Sequence, residues 1–437
     1  MAAKPMTAAD VSRLLGRAAF GATAHDLDAW TGKEYGDLVD SLLTVTTLPA
    51  RPPLPDDAQR LLLQSGQSTD ADGARMWWLE RMRTTPFPLL ERLTLLWHGH
   101  FATGVRYPPT LAQLVRQNET LRTHALGSLR DLVAAVTLDP AMLFWLNGVE
   151  NAVPNPNENY AREFFELFTL GKRPQVHTER DIREAARVFT GWYVDANDQA
   201  VFAASRHDQR SKKVLGRTIA NAGDQEYARL VDVALARPEA AAFVAWKLVA
   251  NLAYVPGGSD PLVRKVAKSL RDNDLAIAPA VRTLLLADEF RYAKGAHALV
   301  RQPVEAVVHA AKAFGVAFAD ASLVWPLEEM GQTLFDPVNV GGWPLGADWI
   351  SPVTALARYE AALTLYTTAT RGVVVADPLP AAADLAGWAH RLGLAGFSTN
   401  TTNAVRAYLR RTAKNGAVDQ QAGVAALLLC SPEWVVL

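Results

Sequence analysis

The chain has 437 residues, 49% hydrophobic and 20% charged, with a net charge of −1. That balance is globular rather than disordered, and near-neutral charge favours neither nucleic acid nor an anionic membrane as a partner. The single cysteine, Cys430, excludes an intrachain disulfide, and no apolar run reaches the ~18 residues that a membrane span needs.

The N-terminal stretch MAAKPMTAADVSRLLGRAAFGAT has no continuous apolar core. Arg13 and Arg17 interrupt it at helical spacing, so residues 7–20 read as an amphipathic first helix capped by Thr7 or Asp10, not as an export signal. A cytoplasmic location is the corresponding expectation. Short helices are expected over 26–30 and 35–43, then a Pro-rich spacer, LPARPPLPDD (48–57). A helix over 71–84 ends at Thr85-Pro86-Phe87-Pro88, and the next runs from Leu89 to about Trp97 with a stripe of Leu89, Leu93, Leu96 and Trp97. It delivers WHGHF (97–101). On a helix, His98 and His100 would point about 200° apart; on extended backbone they would share a face. Gly99 permits the chain to leave the helix between them, and only then could both imidazoles bind one ion; the alternative is that one caps the helix end and the other bonds a backbone carbonyl. Beyond Pro108 and Pro109, residues 110–137 predict one or two helices interrupted near Gly127. Asp139-Pro140 is an N-cap followed by Pro at the first helical position, opening AMLFWL.

The densest chemistry lies between Asn155 and Trp192. Tyr160, Phe164, Leu167 and Phe168 recur as one apolar helical face, with Asn159, Glu163 and Glu166 beside it. Gly171 stops this helix and Pro174 prevents a quick restart. Thr178 and Asp181 form a capping box for a second helix. That helix buries Ile182, Ala185, Ala186 and Phe189 and shows Asp181, Glu184 and Arg187 on another side. Unpaired buried carboxylates are costly. Glu163, Glu166, Asp181 and Glu184 therefore call for cations, either Arg162, Arg183 and Arg187 or a metal.

After Trp192, YVDANDQAVFAAS predicts a small hairpin, continued by RHDQRSKKVLG (206–216) with His207, Asp208 and Lys212. Helices return over 224–236, 238–253, 260–272, 278–290 and 303–316. The stretch FDPVNVGGWPLGADWIS (335–351) is too rich in Pro, Gly and Asn for a helix, and its anchors Phe335, Trp343 and Trp349 predict a lid folded over the site. Helices over 352–370, 381–393, 402–414 and 419–430 close the chain. VRTLLLADEFRY (281–292) and VAALLLCSPEWVVL (424–437) are alike. The fold class is mainly α: one large multi-helix domain over 1–437, whose halves would be 1–220 and 221–437, with a small β-hairpin around 192–220. GxSxG, GxxxxGK[ST], HExxH, CxxC and GxGxxG are all absent, which argues against serine hydrolases, P-loop NTPases and dinucleotide enzymes.

RLLGRAAFGAT, LTLLWHGHFATG, DPAMLFWLNG, NENYAREFFELFTLG, HTERDIREAARVFTGW, HDQRSKKVLG, FDPVNVGGWPLGADWIS and the terminal SPEW together resemble the bacterial DUF1800 family, from about residue 12 to 434. The resemblance implies a mostly helical fold and frequent genomic company with the DUF1501 family, which looks like alkaline phosphatase and sulfatase enzymes. It brings no reaction. Gly99 departs from the carboxamide or similar polar residue usual between the two histidines, and the export signal of many members is missing.

Two functions are compatible with these residues. The first is a metal-dependent enzyme, a hydrolase or oxidative modifier, holding a divalent zinc, iron or manganese ion through His98, His100, Glu163, Glu166 and His207, with Glu163, Glu184 and Asp208 as catalytic carboxylates. The second is a non-catalytic helical partner or assembly factor for a DUF1501-type enzyme, its charged centre being an ion-pair network.

Overall fold

A computed structural model describes residues 5–48, 71–105, 109–173, 175–292, 299–319, 321–371 and 378–437. The spacer beyond Leu48, Pro108 and Pro174 lie outside the described residues. The structure is 62% helical, with two small two-stranded sheets among the described residues, so the mainly α expectation holds.

The first helices are α1 (Ala8–Ala18), α2 (Ala24–Trp30) and α3 (Tyr35–Leu43). Thr7 and Asp10 cap α1 reciprocally, and Val11, Leu14, Leu15 and Ala18 form its buried face. After α4 (Asp72–Thr84) comes α5 (Pro88–His100), which corrects the expected end near Trp97. The helix continues through Gly99 to His100. Almost every side chain of α5 is buried, so packing on all sides outweighs the roughly 1 kcal/mol cost of a helical glycine.

Helices α6 (Leu111–His124) and α7 (Leu129–Thr137) break near Gly127 as expected, and Asp139 caps α8 (Pro140–Trp145) through the Ala141 and Met142 N–H groups. The central stretch begins as α9 (Asn159–Glu163) and passes directly into a π-helical segment, Phe164–Thr169. A π turn takes in an extra residue and rotates the next part of the helix about its axis. Phe165 consequently joins Tyr160, Phe164 and Phe168 in the core, and Leu167 stays half-buried. Helix α10 (Glu179–Val188) starts at the Thr178–Asp181 capping box.

The single hairpin expected around 192–220 is in fact two. Strand β1 (Trp192–Val194) pairs with β2 (Ala200–Phe202), Trp192 opposite Phe202. Separately, β3 (Lys212–Val214) pairs with β4 (Arg217–Ile219), Lys212 opposite Ile219. The free edge of the second hairpin is closed by α10: the Lys213 N–H donates to Glu184 at 2.9 Å and the Leu215 N–H to Asp181 at 2.7 Å.

Helices α11 (Glu226–Leu235), α12 (Pro238–Leu252), α13 (Pro261–Asp272), α14 (Ile277–Leu286) and α15 (Asp288–Arg291) come next. The remainder is α16 (Pro303–Phe314), α17 (Trp325–Glu329), α18 (Pro352–Arg371), α19 (Leu385–Arg391), α20 (Thr399–Arg411), α21 (Ala417–Leu429) and α22 (Pro432–Val435). The two look-alike segments share a shape: α14–α15 and α21–α22 are each an apolar helix followed by a four-residue one. Their aromatics, Phe290 and Trp434, are buried, with Arg17 and Arg301 lying over the rings at 5.5 and 4.7 Å.

Two apolar clusters fill the interior, and both draw on either side of residue 220. Leu89, Leu90, Leu93, Leu96 and Trp97 of α5 belong to the first, while Leu95 belongs to the second. Helix α5 is the seam between them. None of the described helices is long and apolar enough to cross a membrane.

Candidate functional site

Because α5 stays helical, His98 and His100 face different neighbours. The His98 ring packs on Trp78, Phe335 and Trp343 at 5.3, 5.7 and 5.3 Å, and its Nε2 has no partner. The His100 ring packs on Phe101 at 4.5 Å and on Phe243 at 5.9 Å. Its Nε2 lies 3.0 Å from the Phe168 carbonyl. A carbonyl only accepts, so Nε2 carries the proton and Nδ1 is left as an acceptor without a donor. Burial pushes both imidazoles down to about 3, so both are neutral at physiological pH.

The carboxylates are mostly committed to arginine. Glu166 lies 3.7 Å from Arg162 and 3.5 Å from Lys172, while Arg162 grips Glu179 through two 2.8 Å bonds. Glu163 differs: it is half-buried, desolvation raises its pKa, and its Oε2 has no partner. Glu184 pairs with Arg187 at 2.8 Å, and Arg187 reaches on to Asp208 at 2.8 and 3.2 Å. Arg210 and Arg187 together hold the buried Asp208 carboxyl far below the ordinary range. Its oxygens are occupied by guanidinium groups, a structural arrangement.

His207 and Lys212 close a buried knot with a residue that sequence reasoning missed, Glu226 at the start of α11. His207 Nδ1 lies 2.8 Å from the Thr190 carbonyl, and its Nε2 lies 3.1 Å from Glu226 Oε1 and 3.2 Å from Lys212 Nζ. Lys212 Nζ donates to Glu226 Oε2 at 2.5 Å and also to the Asp208 carbonyl. Despite its burial Glu226 stays ionised, held by His207, Lys212 and the Ala222 N–H. Lys212 Nζ thus lies between this imidazole and this carboxylate. Among the described residues no group of three or more His, Cys, Asp or Glu side chains comes together in a form that could hold a metal ion. The expected ligands lie on different elements: His98 and His100 on α5, Glu163 at the end of α9, Glu166 on the π segment and His207 in the knot.

A different set converges on the other side of His100. Helix α12 carries Phe243, Lys247 and Asn251 at i, i+4 and i+8, one stripe of the helix. Lys247 and Asn251 of that stripe face Leu96, Gly99 and His100 of α5, with Gln302 at the entrance to α16, around a cavity of about 30 Å³. The Asn251 side chain donates to the Lys247 carbonyl at 2.9 Å, and its own backbone carbonyl accepts from the buried Arg92 at 2.7 Å. Lys247 is half-buried, its ammonium 5.5 Å from the Phe243 ring centroid. No carboxylate among the described residues pairs with it, and burial lowers its pKa.

The 335–351 loop roofs this cavity. Phe335 and Trp349 are buried anchors, and Trp343 packs on His98. Gly342 has φ +87°, and a Cβ there would lie 2.0 Å from the Gly99 carbonyl oxygen. A Cβ on Gly99 would in turn lie 3.1 Å from the Trp343 ring. The glycine between the two histidines therefore admits the roof, rather than releasing the helix. Lys247 had a legible signal: it is the only charged residue between Glu239 and Asp260, within an otherwise apolar helix. Glu226 had none, because an acidic residue in a first helical turn is ordinary.

The sequence model of a family described as a protein of unknown function, DUF1800, matches residues 13–436. No curated protein matches the chain, and no solved structure does.

Proposed function

The chain belongs to the DUF1800 family, whose description carries no reaction, and from that premise we propose that it is an enzyme acting on a small polar molecule held in the Lys247 cavity. One observation carries this reading: a lysine with no carboxylate partner among the described residues lines a small cavity, beside His100, that the 335–351 loop roofs. Lys212 is matched to the Glu226 carboxylate and the Asp208 carbonyl. Lys247 has no such anion among the described residues, and its ammonium rests only on the Phe243 ring, the kind of perturbed group that gathers at reactive sites. The ligand would present an oxygen toward Lys247.

In this reading the His/carboxylate residues named from sequence are a frame: Glu184, Arg187, Asp208 and the His207–Lys212–Glu226 knot fix α10, α11 and the second hairpin to one another. A ligand-observed NMR screen of small hydroxy, oxo and amino acids tests the proposal. Binders that are displaced in Lys247→Met, a variant of similar length and greater apolar compatibility, are the expected result. Binding that survives Lys247→Met unchanged overturns it. So does about one zinc, iron or manganese ion per chain that persists through chelator-free purification and is lost in the His98→Ala, His100→Ala double variant, which would restore the metal-dependent reading. A chain that binds none of these molecules and no metal leaves the non-catalytic partner reading.

A further inference from the structure

We infer that Lys212 and Glu226 become joined by an intrachain amide bond, with His207 carrying the protons. All three side chains are buried, and Lys212 Nζ rests 2.5 Å from Glu226 Oε2, so an amine and a carboxyl group are held in contact away from water. Well-oriented contact of that kind supplies an effective concentration of roughly 10⁵–10⁸ M, which favours condensation over the competing water.

A plain ion pair would need nothing further, yet the His207 ring is set against both partners. The Thr190 carbonyl lies 2.8 Å from Nδ1, and Thr190 Oγ1, whose own proton goes to the Arg187 carbonyl, lies 3.1 Å from it. Both act as acceptors here, so Nδ1 carries the ring proton and Nε2 is the open nitrogen. Nε2 stands 3.2 Å from Lys212 Nζ and 3.1 Å from Glu226 Oε1. With ammonium and carboxylate both charged, Nε2 and Oε1 are two acceptors in contact. Protonating the imidazole instead sets it against the ammonium. One proton moved from Nζ through Nε2 to Oε1 relieves both conflicts, and it leaves a free amine facing a carboxylic acid. The Ala222 N–H, 3.0 Å from the same Oε1, holds that oxygen against the ring.

The step balances without an outside reagent. The Nζ lone pair forms the N–C bond to the Glu226 carboxyl carbon as the C=O π pair moves to Oε2. A second Nζ proton crosses Nε2 to Oε1, the C–Oε1 bond breaks, and water leaves as the π bond re-forms. The third proton stays on the amide nitrogen. The product ties β3 covalently to the first residue of α11, and its burial keeps solvent from reversing it.

Intact-mass spectrometry of the denatured full chain reads the outcome. The wild type should be lighter than its sequence by one water. A tryptic digest should yield a branched peptide joining Lys212 to Glu226, with no cleavage after Lys212. Lys212→Arg, which keeps a cation beside Glu226, should have its full sequence mass. His207→Phe, which keeps a ring beside Phe202, should also have full mass while retaining the helical content of the wild type by circular dichroism. A wild type of full mass, cleaved normally after Lys212, overturns the bond whether or not either variant folds. So does a missing water that maps to any other pair of residues. A His207→Phe chain cross-linked as completely as the wild type overturns the proton relay.

Discussion

Asp208 and Asp139 respond to pH in opposite directions. Arg210 and Arg187 lower the Asp208 pKa below its unfolded value, so its contribution to stability is present above about pH 4 and lost as pH falls through the folded pKa. Arg187→Ala removes the less exposed of the two guanidiniums, and Arg210, largely in solvent, remains. The cost should be about 1–3 kcal/mol by urea denaturation at pH 7, below the range for stranding a buried charge completely. Arg162→Ala acts on the exposed Glu179 and should change stability far less. Asp139 is the contrary case. Burial pushes it up to about 7 while the Ala141 and Met142 N–H groups and Gln117 pull the other way. Between about pH 4 and 7 the folded chain holds a proton that the unfolded chain has released, so this group's contribution falls as pH rises. Asp139→Asn retains an N-capping oxygen and removes that dependence. It should be more stable than the wild type at pH 8 by about 2 kcal/mol, with the difference shrinking toward pH 4. The capping residues and ion-pairing arginines were legible as residue types, since caps act within a few positions of themselves. Glu226 was not, because its partners are brought to it by a hairpin whose docking no local pattern encodes.

At the scale of elements, α5 and the loop over it explain each other. Local rules misplace the helix end near Trp97 because glycine carries a local helix penalty, while the compensation comes from more than two hundred residues away: the Trp343 ring packs close to where a side chain at position 99 would begin. The π segment was equally unreadable, since Tyr160, Phe164 and Phe168 fit an ordinary helical face and only the inward turn of Phe165 reveals the extra residue. Gly342→Ala tests the roof directly. Its Cβ meets the Gly99 carbonyl at 2.0 Å and its φ of +87° is unfavourable for alanine. Backbone on both sides leaves no flexible group to yield. The variant should be cut within 335–351 by low protease before any other described segment, whereas the wild-type loop, pinned by Phe335 and Trp349, should resist. Early cleavage of the wild type there would mean that the roof does not hold. The same substitution should leave the knot around Lys212 intact.

For the whole molecule, the mainly helical class was readable from periodicity, but its cohesion depends on one helix shared by two cores. Leu93 of α5 packs into the first apolar cluster and Leu95, two residues on, into the second. Arg92 of the same helix is fully buried and ion-paired with Glu305 of α16, so a charge pair as well as side-chain packing ties α5 to the second cluster. Either cluster unfolding alone would expose one flank of α5 and strand one of these charges, each a large fraction of a typical domain's stability. Calorimetry should therefore show one cooperative transition. Leu93→Ala and Leu95→Ala should each lower that same transition, by about 2–5 kcal/mol according to how far each cavity collapses. Two independently melting units would respond otherwise: each substitution would shift its own transition and leave the other in place. Arg92→Met discriminates further, because it removes the charge partner while filling the volume. Its effect should appear as a lower midpoint with unchanged cooperativity, since the helix continues to belong to both clusters when the ion pair is gone.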